Sequence, residues 1–195
     1  VTGMLAAISI ILGLTPIGLI PLPFSPTKAT IMHIPVIIGA IAEGPIVGLI
    51  IGLIFGGFSM YQAVVMPSSP AQFVFLDPLV AILPRLLIAL TSYYAYKGVK
   101  SIFKGRRAQN KRGPAITASA VAAAVGTLTN PLGVLLTIYL RHGVQYAEKL
   151  GVPSETVGSV IAGIGVTHGI PEIIVAVLIV IPVIQGLQKL YNKEF

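Results

Sequence analysis

Seven of the 13 Lys and Arg residues of this chain fall within the 16 positions from Lys97 to Arg112, and the sequence on either side of them is apolar. They are Lys97, Lys100, Lys104, Arg106, Arg107, Lys111 and Arg112. Short loops rich in Lys and Arg are retained on the cytoplasmic side of a membrane, so such a pool fixes an orientation as well as a class. The remainder agrees: 55% of residues are hydrophobic, only 10% are charged, and mean hydropathy is +0.92. A soluble domain carries roughly 25% charged residues. The chain is therefore read as an integral membrane protein.

A net charge of +7 in a soluble protein would suggest nucleic acid. Here the charge is pooled beside membrane segments, and no nucleic-acid partner is expected. Cysteine is absent, which excludes a disulfide framework, a thiolate nucleophile and Cys-based metal sites. No cofactor is implied. With about 20 residues per span, the chain has room for roughly five to seven helices in one bundle, a single domain over 1–195. It opens at Val1 directly into an apolar run without a charged n-region or a cleavage site. That is unlike a signal peptide, and a short cytoplasmic segment is expected ahead of it.

Apolar runs and their breakers give six spans. The first, Thr2 to Leu14, ends at Thr15-Pro16, and a Pro- and Gly-rich loop follows to about Lys28. The second runs from Ala29 to Ala42, and Glu43-Gly44-Pro45 turns into the third, Ile46 to Met60. Tyr61 to Asp77 reads as a long loop. The fourth helix runs from Pro78 to about Tyr96, the fifth from Pro114, a residue suited to a first turn, to about Leu140. Arg141 to Pro153 reads as a third long loop, and the sixth helix covers Ser154 to Leu190, interrupted by Pro171 and Pro182. With the basic loop inside, both termini and the Glu43 turn are cytoplasmic and the three long loops are external. The expected fold is an all-α bundle of six transmembrane helices in the lipid bilayer. Runs two and three, at 14 and 15 residues, are short for a span and need flanking residues or a thin membrane edge.

Small residues recur every four positions in the first helix (Gly3 and Ala7; Ser9 and Gly13) and in the third (Gly48, Gly52, Gly56), a spacing that lets helix backbones approach closely. In the third helix, contact within the bundle and contact with a partner stand equally.

A charge within the membrane costs about 2.5–3.5 kcal/mol or more, so each needs a partner or a task. Arg85 lies seven residues into the fourth helix, about 10 Å down. Its planar fork suits a ligand carboxylate, and the competing reading is an ion pair with Glu172 or a tether to Asp77. Asn130 precedes Pro131, whose missing N–H frees backbone acceptors; ligand binding and helix–helix bonding are equally supported. His168 and Glu172, four apart, share a helix face. They suit a mutually satisfied pair better than a proton relay or half a metal site, since no second ligand pair exists. His33 is a lone histidine among apolar residues. Tyr61, Gln62, Gln72, Phe73 and Phe75 make the second long loop polar and aromatic, as a lid over an intramembrane site would be. No Walker A motif, Ser–His–Asp set, dinucleotide loop or carboxylate dyad is present.

Taken in order, the segments starting at His33 (His-Ile-Pro-Val-Ile-Ile-Gly-Ala), Gly44 (Gly-Pro-Ile-Val-Gly), Ile54 (Ile-Phe-Gly-Gly-Phe-Ser) and Asp77 (Asp-Pro-Leu-Val-Ala-Ile-Leu-Pro-Arg85) resemble the six-helix substrate-binding (S) components of energy-coupling factor (ECF) vitamin transporters. Asn130-Pro131 and His168-Gly-Ile-Pro-Glu172 continue the match over nearly the whole chain. The resemblance implies a vitamin-binding subunit of a prokaryotic cell membrane that docks on a transmembrane coupling (T) protein and two ATPases and topples to deliver its ligand. Small residues spaced by four in the first helix form the docking surface in that family, and Gly3 and Ala7 fit the pattern as Gly–Ala instead of Ala–Ala.

The Pro-Arg of helix four and Thr-Asn-Pro of helix five look most like the pantothenate-type members. Arg85 for the carboxylate and Asn130 for the amide or a hydroxyl is a sensible pairing, with Tyr61, Gln62, Phe75, His33 and His168 as further ligand-binding candidates. Folate, pyridoxine and cobalamin are the alternative vitamins. An intramembrane hydrolase built on His168 and Glu172 is a rival of another class, and it would need a second base set where only His33 stands. A structural assembly factor would leave Arg85 unexplained.

Overall fold

The computed structural model describes residues 1–15, 18–21, 28–67, 70–104 and 112–191. Seven α-helices are found among them: α1 (Thr2–Leu14), α2 (Ile34–Glu43), α3 (Pro45–Val65), α4 (Pro78–Ala81), α5 (Leu83–Lys104), α6 (Arg112–Leu150) and α7 (Val157–Tyr191). The four-residue α4 leads into α5, and the two make one span, so the bundle has six helical limbs. Strands β1 (Leu19–Pro21) and β2 (Lys28–Thr30) pair antiparallel, Leu19 opposite Thr30. A 3-10 segment, Pro70–Leu76, lies between α3 and α4. Four limbs are long and apolar enough to cross a membrane: α3, α4–α5, α6 and α7. The end carrying the 3-10 segment is called upper below, and the end carrying Gly44 lower.

The core is built around α2. All of Ile34–Ala42 is buried, enclosed by α1, α3, α5, α6 and α7. The short second run thus needs no length to match the bilayer, because it meets protein instead of lipid. At Gly44 the backbone adopts φ +102, a conformation that side chains with a Cβ avoid, and Pro45 opens α3. Gly48, Gly52 and Gly56 of α3 face inward. A Cβ on Gly48 would meet Ala40 and Ala89, and one on Gly52 would lie 2.6 Å from the Arg85 carbonyl oxygen. Their spacing serves contact within the bundle. Ser9 and Gly13 also point inward: Ser9 Oγ donates to the Met32 carbonyl at 3.3 Å, and a Cβ on Gly13 would meet Met32 and Phe58. Gly3 and Ala7 are exposed, with nothing within 4 Å of a Cβ built on Gly3.

Several boundaries differ from the sequence expectation. The start of the second run is strand, with Lys28–Thr30 in β2 and α2 beginning at Ile34. Helix α3 runs to Val65, so Tyr61 and Gln62 are helical and most of the expected second loop is α3 or 3-10 structure. No Pro or Gly follows Gly57 until Pro67, and polarity alone does not stop a helix. Helix α5 continues to Lys104 and keeps Lys97 and Lys100; Arg106, Arg107 and Lys111 of the basic pool lie outside the described residues. Arg141–Leu150, expected as loop, completes α6. Tyr146 and Ala147 are buried there against Val74, Val157 and Ile161 in an upper cluster. The stop comes at Gly151, φ +68, where Gly151 N–H bonds to the Glu148 carbonyl and Val152 N–H to the Ala147 carbonyl, a Schellman ending.

Candidate functional site

Arg85 owes its position to the residue before it. Pro84 has no N–H, so the Val80 carbonyl four residues back has no helical donor. The Arg85 guanidinium turns back and donates from Nη1 to that oxygen at 2.8 Å. Phe55 of α3 and Phe75 of the 3-10 segment face the guanidinium, each with its ring centroid 5.2 Å from Cζ, a favourable arrangement for a cation on aromatic faces. Arg85 is 5% exposed, and its Nε has no hydrogen-bond partner.

Neither carboxylate expected as a partner reaches it. Asp77 accepts from Arg141 Nε at 2.5 Å and pairs with His142 Nε2 at 3.0 Å, while Glu172 Oε1 accepts from Thr30 N–H at 2.7 Å. Burial works to raise the Asp77 carboxyl, but the bonds from Arg141, Leu79 N–H and His142 outweigh it and hold the group below its ordinary value.

His33 and Phe55 are each eleven residues from the Gly44 turn (44 − 33 and 55 − 44). Because α2 and α3 run antiparallel from that turn, helix rise puts both about 16 Å above it. Arg85, over Phe55, shares that level. His33 Nε2 lies 3.0 Å from Thr127 Oγ1 of α6, and Asn130 stands about 4.5 Å higher on α6. Thr30, just above His33 in the chain, brings Glu172 of α7 to the upper side of the same level. Helix α6 packs against both α5 and α7, and α7 also meets α5 lower down, where Gln188 Nε2 donates to the Tyr96 hydroxyl at 2.9 Å. His33 Nδ1, Arg85 Nε, Asn130 Oδ1 and Glu172 Oε2 are all buried without a hydrogen-bond partner. Four such atoms at one level are costly, about 1–3 kcal/mol each, unless something else satisfies them.

The structure thus gathers Arg85, Asn130, His33 and Phe75. His168 is buried one turn above Glu172 on α7. Tyr61 and Gln62 are not joined to this centre by hydrogen bonds. Tyr61 is 54% exposed and stacks on Phe58, and Gln62 Nε2 donates to the Gly13 carbonyl of α1 at 2.8 Å. Phe55, Thr127 and the Glu172–Thr30 bond escaped the sequence reading. For Phe55 the one usable signal was its distance from the Gly44 turn, equal to that of His33. Among the described residues no group of three or more His, Cys, Asp or Glu could hold a metal ion.

The bundle thus encloses a cation, an amide, an imidazole and a carboxyl with unspent hydrogen-bonding capacity. Residues 1–184 match the family profile described as "ECF transporter, substrate-specific component". The chain is 30% identical to the "Pantothenic acid transporter PanT" of Lactococcus lactis subsp. cremoris, covering 88% of this chain and 83% of the relative. It is 28% identical to the "Pantothenate transporter PanT" of Leuconostoc mesenteroides subsp. mesenteroides, covering 87% and 78%. With the match running through nearly all of its helices, the chain belongs to the substrate-specific components of ECF transporters, a non-enzymatic family of membrane transport proteins for vitamins.

Proposed function

We propose that the chain binds pantothenate at the Arg85 level and delivers it by docking on a T protein driven by two ATPases. The observation that carries this reading is the buried guanidinium without a carboxylate partner among the described residues, held between two aromatic faces with its Nε free. A carboxylate ligand would supply the missing counter-charge in a setting where charge-assisted bonds are strong. The names of the two relatives support pantothenate over other vitamin acids. In this reading the upper end is external, the basic pool and both termini are cytoplasmic, and the exposed Gly3–Ala7 stripe of α1 meets the T protein.

The test is direct binding to the purified protein, with pantothenate compared against its neutral terminal amide, and mass spectrometry of small molecules released on denaturation. Tight binding of the acid and weak binding of the amide are expected. Equal affinity for both would remove the role of the guanidinium. Release of a different vitamin would replace the assignment.

A further inference from the structure

Glu172 is 3% exposed, and its two carboxyl oxygens are differently occupied. Oε1 accepts from Thr30 N–H at 2.7 Å, which ties α7 to strand β2 of the hairpin. Oε2 has no hydrogen-bond partner. No hydrogen bond or ion pair joins this carboxyl to Arg85, whose guanidinium donates to the Val80 carbonyl. A buried acceptor left empty is rare enough in folded proteins to need an explanation. Gln185, the other α7 residue with an unpartnered atom, is 13 residues further along, about 20 Å lower, and belongs to a different level.

An ionised Glu172 accepts at Oε2, and the group that satisfies it then brings a hydrogen. A ligand carboxylate brings none and would be repelled, so the acidic end of a ligand belongs at Arg85. Pantothenate presents, in order, a carboxylate, an amide and two hydroxyls. Along the chain the site presents Arg85 on α5, Asn130 on α6 and Glu172 on α7. We infer that a hydroxyl of the bound acid donates to Glu172 Oε2, which makes Glu172 the residue that selects a hydroxylated acid over its deoxy analogue. The inference rests on the pantothenate reading above and adds a residue that the carboxylate-and-amide pairing lacks. Because the same carboxyl holds Thr30, an occupied site is also bonded, through one side chain, to the hairpin.

The experiment is equilibrium binding of pantothenate and its two mono-deoxy analogues to the purified full chain, wild type and Glu172→Met. Methionine fills a similar length without a hydrogen-bonding oxygen. Wild type is expected to bind at least one deoxy analogue about tenfold or more weakly, the loss that follows a missing hydrogen bond at a buried acceptor. In Glu172→Met that difference should shrink to threefold or less, while discrimination between acid and terminal amide, the work of Arg85, persists. Wild type binding both deoxy forms as tightly as pantothenate would overturn the inference without recourse to any variant. A deoxy penalty unchanged in Glu172→Met would overturn it as well, and in both cases pantothenate binding itself would stand. Absence of pantothenate binding by wild type would be a separate failure, removing the function together with this inference.

Discussion

Asp77 and Arg141 close an ion pair across 64 positions of sequence, joining the start of α4 to the upper part of α6. Asp77 also caps α4, accepting from Leu79 N–H at 2.9 Å, so a single carboxylate fixes the turn that carries Val80 and thereby the anchor of Arg85.

The first prediction concerns pH. The folded-state Asp77 carboxyl is held below its ordinary value of 3.8, so its contribution to stability is complete above that value and is lost as pH falls through the lowered one. Thermal stability in detergent should be indifferent to Asp77 ionisation between pH 5 and 8 and should decline in acid, below about pH 4. Asp77→Asn keeps an acceptor for Leu79 but loses the ion pair, at a cost of about 1 kcal/mol with Arg141 half-exposed. It should also flatten the acid decline. Asp77→Ala should cost about 1 kcal/mol more through the lost cap. An acid decline identical in wild type and Asp77→Asn would assign it to other groups.

A second prediction tests the α3–α5 contact. A Cβ on Gly52 would stand 2.6 Å from the Arg85 carbonyl oxygen, a backbone atom that cannot swing aside. Gly52→Ala should destabilise the protein by about 1–3 kcal/mol and weaken ligand binding, because α5 shifts at the residue that carries the guanidinium. Gly57→Ala, with nothing within 4 Å of the added atom, is the control and should change neither.

For the site itself, Arg85→Ala should cost about 2–5 kcal/mol of affinity for the acid by leaving a desolvated carboxylate unpaired. Arg85→Lys should recover only part of this, since an ammonium cannot present the same fork. Asn130→Ala should cost about 1–3 kcal/mol. Titration calorimetry with the acid and its amide separates the roles: a loss equal for both ligands would make Arg85 a structural residue.

Docking gives a fourth test. Ala7→Leu on the exposed face of α1 should abolish uptake in cells carrying the T protein and ATPases, and leave binding by the isolated chain within about twofold of wild type, as expected for a surface position away from the site. Loss of binding as well would mean that the stripe supports the bundle.

Orientation is open to chemical labelling because the chain has no native cysteine. A cysteine at Ser69 should react with an impermeant thiol reagent in intact cells, and one at Gln109 should not. Both positions lie outside the described residues. The reverse pattern would invert the assignment of external and cytoplasmic ends.

The helical limbs were legible because prolines and glycines punctuate them: Gly44-Pro45 and Pro78 fall at or within a residue of the observed boundaries. Helix ends defined only by a loss of apolarity were misplaced. Tyr61 to Val65 and Arg141 to Leu150 continue their helices because nothing in them breaks the backbone ladder. Arg85 and Asn130 were legible as charge and amide in an apolar context. The Glu172–Thr30 bond was not, since it joins residues 142 positions apart and no local pattern encodes which distant backbone N–H a carboxyl will meet. Asp77 was placed correctly at a helix start, yet its partners, Arg141 and His142, lay in what polarity had marked as loop.

The brevity of α2 sets the direction in which this protein can open. Ten residues rise about 15 Å, half of a hydrocarbon layer ~30 Å thick, so α2 is too short to cross one, and the chain before it at Ile31–His33 is non-helical. Its peptide groups are answered from elsewhere in the protein: Ile31 N–H by the Gly18 carbonyl, Met32 N–H by Thr30 Oγ1, the Met32 carbonyl by Ser9 and Thr30 N–H by Glu172. Slid sideways into lipid tails, the Met32 carbonyl and Thr30 N–H would lose their partners on α1 and α7 at several kcal/mol apiece; lifted towards water, they would exchange protein for water at little loss. Surrounding hydrocarbon therefore favours displacement of this segment towards water over displacement into lipid.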